Sequence, residues 1–192
     1  LDEIDISLTA GSATACIGPA GAGKSTLLEI AAGITAPTGG ALRTDESTVR
    51  GMAFQFPEDQ VFGDTVAEYV AFGPRNTGTA GAALESAVDG SLAAVGLDPG
   101  RFRDRDPFSL SGGEKRRVAV AGILALEPDV IILDEPCAGL DREGVDMLTT
   151  VLSRFTADGG TLLFTTHDFN IAATLADRVI LLSDRKFAGA DT

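Results

Sequence analysis

The stretch Gly18-Pro-Ala-Gly-Ala-Gly-Lys-Ser-Thr26 decides how the rest of this 192-residue chain reads. It fits G-x-x-x-x-G-K-[ST], with an apolar run before it and a helical pattern after it, the setting that a phosphate-binding loop requires. Gly18, Pro19, Ala20, Gly21, Ala22 and Gly23 form the curl, and the glycines let successive N–H groups converge on one anion. The helix that starts near Lys24 aims its positive end at the same place. Lys24 is expected to reach the β- and γ-phosphate oxygens of a nucleotide, Ser25 to ligate Mg²⁺, and Thr26 to lie in the same first turn.

Working outward, short apolar runs alternate with helical patterns. Strands are predicted at 13–17, 52–56, 130–134, 161–165 and 179–182, and helices at 24–32, 112–126, 144–156 and 169–176. Runs such as VIILD and TLLFTT lack polar alternation, as strands covered on both faces do. An α/β domain with a mainly parallel sheet follows. Residues 73–108 differ: they are rich in Gly, Ala and Asp, with an amphipathic stretch near 82–95, and predict a small helical insertion within a single domain.

Composition narrows the function. A net charge of −13, from 28 acidic against 15 basic residues, repels nucleic acid and anionic lipid, so no nucleic-acid partner is expected. A local anion site survives in such a field because backbone N–H groups and one lysine suffice for it. The apolar runs fall short of the roughly 18–20 residues of a membrane-spanning helix. Cys16 and Cys137 do not make a disulfide framework, and a reduced, cytoplasmic setting is expected.

Three further segments carry chemistry. In DVIILDEP (129–136) a hydrophobic strand delivers Asp134 to the sheet's C-terminal edge, where nucleotides bind in open α/β folds. Asp134 can hold Mg²⁺ through water, and Glu135 can orient and deprotonate an attacking water. His167, the only histidine, ends LLFTTHD (162–168) and can hydrogen-bond a γ-phosphate or the water. Gln55 ends GMAFQF (51–56) and can sense both water and metal.

The segment SLSGGEKRR (109–117) is a second anion-seeking helix start. Ser111 followed by Glu114 predicts a capping box. Gly112 and Gly113 weaken a first turn, and make sense where another group approaches the backbone closely. The chain's own nucleotide is already wrapped by residues 18–26. The guest for this turn is therefore a nucleotide held by another copy.

The order G-x-x-x-x-G-K-S, glutamine, LSGGE, ILDEP, AGLD, THD resembles the ATP-binding-cassette ATPases over nearly the whole chain. The resemblance implies their P-loop NTPase fold with a small helical subdomain, and a head-to-tail pair of cassettes sandwiching two ATP molecules. It implies that Ser111, Gly112 and Gly113 cap the γ-phosphate of the partner's ATP and that Asp141 lines the dimer seam. The partner cassette, identical or a paralogue, stays open.

FQFPEDQVFGDTVAEYVAFGPRN (54–76) and LSGGEKRRVAVAGILALEPDVIILDEP (110–136) look like the energy-coupling-factor ATPases, including cobalt and nickel importers. That resemblance implies an ATPase at the cytoplasmic face of the membrane, docked near residues 55–69 on a transmembrane coupling subunit that imports a vitamin or transition-metal ion. Read from its residues alone, 55–69 suits either a groove for a basic helix or a helix packed on the core. A soluble cassette ATPase of DNA repair, translation or cofactor assembly is the alternative, though no coiled coil or basic arm is present. A non-hydrolysing regulatory subunit is the other, opposed by Glu135 together with His167.

The sequence departs from the family pattern at Ala20, Ala22 and Cys137, where small side chains leave backbone cradling intact. The aromatic that stacks on adenine in relatives has no counterpart upstream, and Tyr69 is a poor substitute. The chain is expected to be shortened at both ends.

Overall fold

Small and β-branched residues, with Thr14 the only polar side chain among them, run through Ala13–Ile17, and this largely buried run forms an interior strand of the sheet. The computed structural model describes residues 1–191. In chain order it contains β1 (Ala13–Ile17), α1 (Lys24–Ala32), β2 (Arg50–Ala53), α2 (Val66–Asn76), α3 (Gly81–Ala94), α4 (Pro99–Phe102), α5 (Gly112–Leu124), β3 (Val130–Leu133), α6 (Arg142–Ala157), β4 (Thr161–Thr165), α7 (Phe169–Leu175), β5 (Arg178–Ser183) and β6 (Lys186–Asp191). The chain forms two compact units. The first comprises Leu1–Gln55, Asp129–Cys137 and Leu152–Thr192, and the second Phe56–Pro128 and Ala138–Val151.

The first unit holds the whole sheet, in the order β2-β3-β4-β1-β5-β6. β1 lies between β4 and β5, and every pairing is parallel except β5 with β6. The mainly parallel α/β sheet expected from the alternation is therefore present, with one antiparallel edge strand the pattern did not reveal. All five residues of β4 are buried, which explains why TLLFT shows no alternation. Phe164, Leu28, Ile132 and Leu163 are fully or almost fully shielded and form the centre of this core. Gly33, in the left-handed conformation at φ 78°, ends α1 and returns its N–H to Glu29 and Ile30.

β2 closes earlier than the predicted 52–56. Phe54, Gln55 and Phe56 are exposed, Phe56 takes a positive φ of 57°, and Pro57 cannot donate to a ladder. The apolar letters of GMAFQF therefore overstate the strand.

The second unit is helical. Val66, Val70, Val88, Leu92, Val95, Val118 and Leu148 are buried in it. The helical segment expected at 73–108 lies inside this unit, which extends from Phe56 to Pro128. Of the two readings left open for 55–69, a helix does form, from Val66 onward; its capping box pairs Thr65 with Glu68. Arg103 fastens α3 by ion pairs to Glu85 and Asp89, the latter at 3.0 Å.

Candidate functional site

Parallel strands end on the same edge of a sheet, and here neighbouring strands deliver the candidate residues together. β3, β4 and β1 are adjacent, with Leu133 level with Phe164 and Cys16 level with Thr165. The loop 18–23, the pair Asp134–Glu135 and His167 consequently leave the sheet at one edge, as Gln55 does two residues beyond β2. This is the edge at which open α/β sheets bind their ligands.

The loop is built for backbone, not side chains. A Cβ on Gly18 would stand 2.2 Å from the Leu182 carbonyl oxygen, so no other residue fits there. Gly21 and Gly23 hold positive φ angles of 77° and 98°. Lys24 is buried, and its ammonium donates to the Gly18 carbonyl at 2.9 Å and the Pro19 carbonyl at 3.2 Å. The lysine is thus folded over the loop it is expected to close around a phosphate. Ser25 and Thr26 are exposed in the first turn of α1. Ala22 is buried with Cys16, Leu27 and Leu182 beneath the loop, while Pro19 and Ala20 lie in its turn. Burial pushes the Cys16 thiol up to about 12, against a smaller opposing pull from Lys24.

At the neighbouring strand end, the Thr165 hydroxyl donates to Asp134 Oδ1 at 2.5 Å and accepts from the Glu135 N–H at 2.8 Å. Glu135 has a left-handed backbone, φ 49°. Its side chain is largely buried, and His167 Nε2 stands 2.8 Å from its Oε1. That distance makes an ion pair when the imidazole is protonated, but no well-aligned protein donor satisfies Oε1. A buried carboxylate oxygen without a full partner is the atom to expect where a water is to be gripped. Among the described residues, no three His, Cys, Asp or Glu side chains cluster to hold a metal by themselves. A cation here would draw on hydroxyl, carboxylate and phosphate oxygens, the hard donors that suit Mg²⁺.

In the second unit, Ser111 and Glu114 form the expected capping box: Ser111 N–H donates to Glu114 at 2.8 Å, and Glu114 N–H to Ser111 Oγ at 3.3 Å. A Cβ on Gly112 or Gly113 would meet nothing within 4 Å. Nothing in the chain's own packing asks for glycine at these exposed positions. Asp141 Oδ1 accepts from the Gly144 N–H at 2.8 Å, capping α6.

Two residues escaped the sequence reading. Thr165 was hidden in a strand read only for its apolar content, and Arg116 passed as one of three consecutive cations. Arg116 is in fact buried, with Nη2 and Nε donating to Glu58. The buried adjacent threonines of FTTH were the one signal for the first; nothing local signalled the second. No helix among the described residues is long and apolar enough to cross a membrane.

Comparison with known proteins agrees with this geometry. Residues 1–138 match the ABC transporter family. The energy-coupling factor transporter ATP-binding protein EcfA2 of Symbiobacterium thermophilum is 43% identical over 195 residues, spanning 95% of this chain and 67% of that protein. The structure of cbiO1 from Clostridium perfringens, part of the ABC transporter complex cbiONQ, superposes with a TM-score of 0.85 at 32% identity, covering 97% of this chain and 79% of that one. A dimeric post-hydrolysis cassette, MJ0796 bound to ADP and Pi, does so with a TM-score of 0.83 at 27% identity, covering 97% and 88%.

Proposed function

Because this chain belongs to the ABC transporter family of ATP-hydrolysing cassettes, we propose that it is the nucleotide-binding subunit of an energy-coupling-factor type importer. The cargo class is a vitamin or a transition-metal ion. The subunit works as one of a head-to-tail pair at the cytoplasmic face of the membrane, docked near residues 55–69 on a transmembrane coupling subunit. Its likeness to EcfA2 and to a cassette of the cbiONQ complex supports the membrane partner. The dimeric cassette with ADP and Pi supports the pairing.

The observation that carries the hydrolytic reading is the buried, under-satisfied Glu135 Oε1 at the sheet edge that also bears the phosphate loop. The loop's backbone N–H groups, Pro19 having none, hold the phosphates, and Lys24 leaves the Gly18 and Pro19 carbonyls for the β- and γ-oxygens. Ser25, Asp134 and Gln55 would hold Mg²⁺, which would supply positive charge against the phosphates. Glu135 accepts the proton of the attacking water, a contribution of about 10²- to 10⁴-fold. His167 steadies that carboxylate and faces the γ-phosphate. Ser111, Gly112 and Gly113 close on the partner's ATP, which gives the two unencumbered glycines their purpose.

The test is Glu135→Gln. With ATP it should accumulate as a dimer on size exclusion and release phosphate at least about 100-fold more slowly. A variant that turns over ATP at the wild-type rate overturns the assignment.

A further inference from the structure

Asp134 and Glu135 are neighbours in sequence but point to different tasks, and something must hold them apart. One lies directly after β3; the other has already turned to φ 49°, a conformation that a residue with a Cβ rarely holds without support. Beside the Asp134 N–H bond to the Ala53 carbonyl, one buried atom serves both residues of this bend. Thr165 Oγ1, fully buried in β4, accepts from the Glu135 N–H at 2.8 Å and donates to Asp134 Oδ1 at 2.5 Å. A hydroxyl has one proton to give and lone pairs to receive with, so it can serve both groups at once.

We propose that Thr165 is the positioning residue of this site: its hydroxyl fixes the Asp134 carboxylate and the turned Glu135 backbone together, setting the angle at which both meet the nucleotide. The proposal rests on the hydrolytic reading of Asp134 and Glu135. It follows that Thr165 acts only through them and touches no reacting atom. The hydroxyl proton on Oδ1 also leaves Asp134 a preferred free oxygen, Oδ2, for a cation's water shell. A methyl in place of the hydroxyl would leave the Asp134 oxygen and the Glu135 N–H without this partner, free to rotate and to relax out of the left-handed turn.

Thr165→Val and Thr165→Ser, made in the full chain, separate this role from packing; Thr165→Ala replaces the valine variant if valine does not fold. Thr165→Val should lower kcat by about 10- to 100-fold, the range of one hydrogen bond to a charged group. Its KM for ATP should stay within about twofold, because the backbone cradle of residues 18–23 is untouched. Independently of turnover, Mn²⁺ titrated against the ADP-loaded protein and followed by electron paramagnetic resonance should bind more weakly in Thr165→Val. Thr165→Ser should restore both readouts. Wild-type kcat and Mn²⁺ affinity in Thr165→Val, beside an inactive Glu135→Gln, overturn the role of Thr165 alone. Full activity in Glu135→Gln would instead remove the reading on which it stands. A lowered melting temperature in Thr165→Val, with kcat and Mn²⁺ binding unchanged, overturns the proposal too.

Discussion

Arg116 and Glu58, 58 positions apart, are joined by two hydrogen bonds of 2.8 Å, Nε to Oε2 and the terminal Nη2 to Oε1. Nη1 of the same guanidinium donates to the Ala138 carbonyl at 2.6 Å. One buried cation thus ties the helix behind the serine-diglycine turn to the 57–60 turn and to the start of the AGLD loop. Arg116 is 4% exposed and Glu58 21%, so the pair is poorly screened. Glu58→Ala should cost about 2–4 kcal/mol, since it strips a buried guanidinium of its carboxylate. Urea denaturation measures the loss. Restoring a well-packed apolar pair, as in Arg116→Met with Glu58→Leu, should recover most of it, and a double variant no better than the single one would refute the account.

The glycines of the two anion-seeking turns should answer oppositely to alanine. Gly18→Ala drives a methyl to 2.2 Å from the Leu182 carbonyl, and is expected to cost about 1–3 kcal/mol of stability. Gly113→Ala meets open space inside a helix and should stabilise by up to about 1 kcal/mol. Phosphate release should nevertheless fall in Gly113→Ala, because the added methyl stands where the partner's nucleotide is proposed to dock. Melting temperature and steady-state phosphate release, taken together, check both halves. A Gly113→Ala protein that is more stable and equally active would argue against a nucleotide at that turn.

What the sequence made legible was whatever chain-local spacing encodes. Ala13–Ile17, Lys24–Ala32 and Thr161–Thr165 were delimited to the residue because a buried strand or an opening glycine fixes both ends. The Ser111–Glu114 capping box was equally local. β6 was missed because an edge strand needs a partner more than an apolar pattern, and Lys186–Asp191 offers little of the latter. Thr165 and Arg116 were missed for the converse reason. Their partners lie 30 and 58 positions away, and no window along the chain brings them together.

Glu114 makes the capping box sensitive to acid. The Ser111 N–H is the main cause that holds its carboxyl below the usual carboxylate range, with Ser111 Oγ and Arg105 adding to it against partial burial. A lowered folded pKa means that the stabilisation is present above the unfolded value of about 4.3 and is lost as pH falls through the folded value. Solvent around the side chain keeps the effect below about 1 kcal/mol. Glu114→Gln should therefore flatten the acid limb of the stability profile below about pH 4.5, by removing at pH 7 the contribution of less than about 1 kcal/mol that wild type loses in acid. Denaturant midpoints between pH 3 and 7 would show it, and an unchanged acid limb would count against the box as the source.

Cys16 reports on the loop from beneath. Burial lifts its thiol to about 12, whereas an unfolded cysteine titrates near about 8.5. The folded chain keeps the proton, so stability is fully present below about 8.5 and falls as pH rises toward about 12. The thiolate is the nucleophile, so in a Cys137→Ser background Cys16 should resist a disulfide reagent such as DTNB at pH 8. It should react only as fast as the first unit opens. ATP binding to residues 18–26 stabilises the folded form by mass action, by about 2.7 kcal/mol at a hundredfold excess over Kd. Labelling should slow about 100-fold under that load when opening equilibrates rapidly. Labelling at pH 8 that is fast and indifferent to ATP would mean that the thiol is not sealed beneath the loop and that the nucleotide does not close over it.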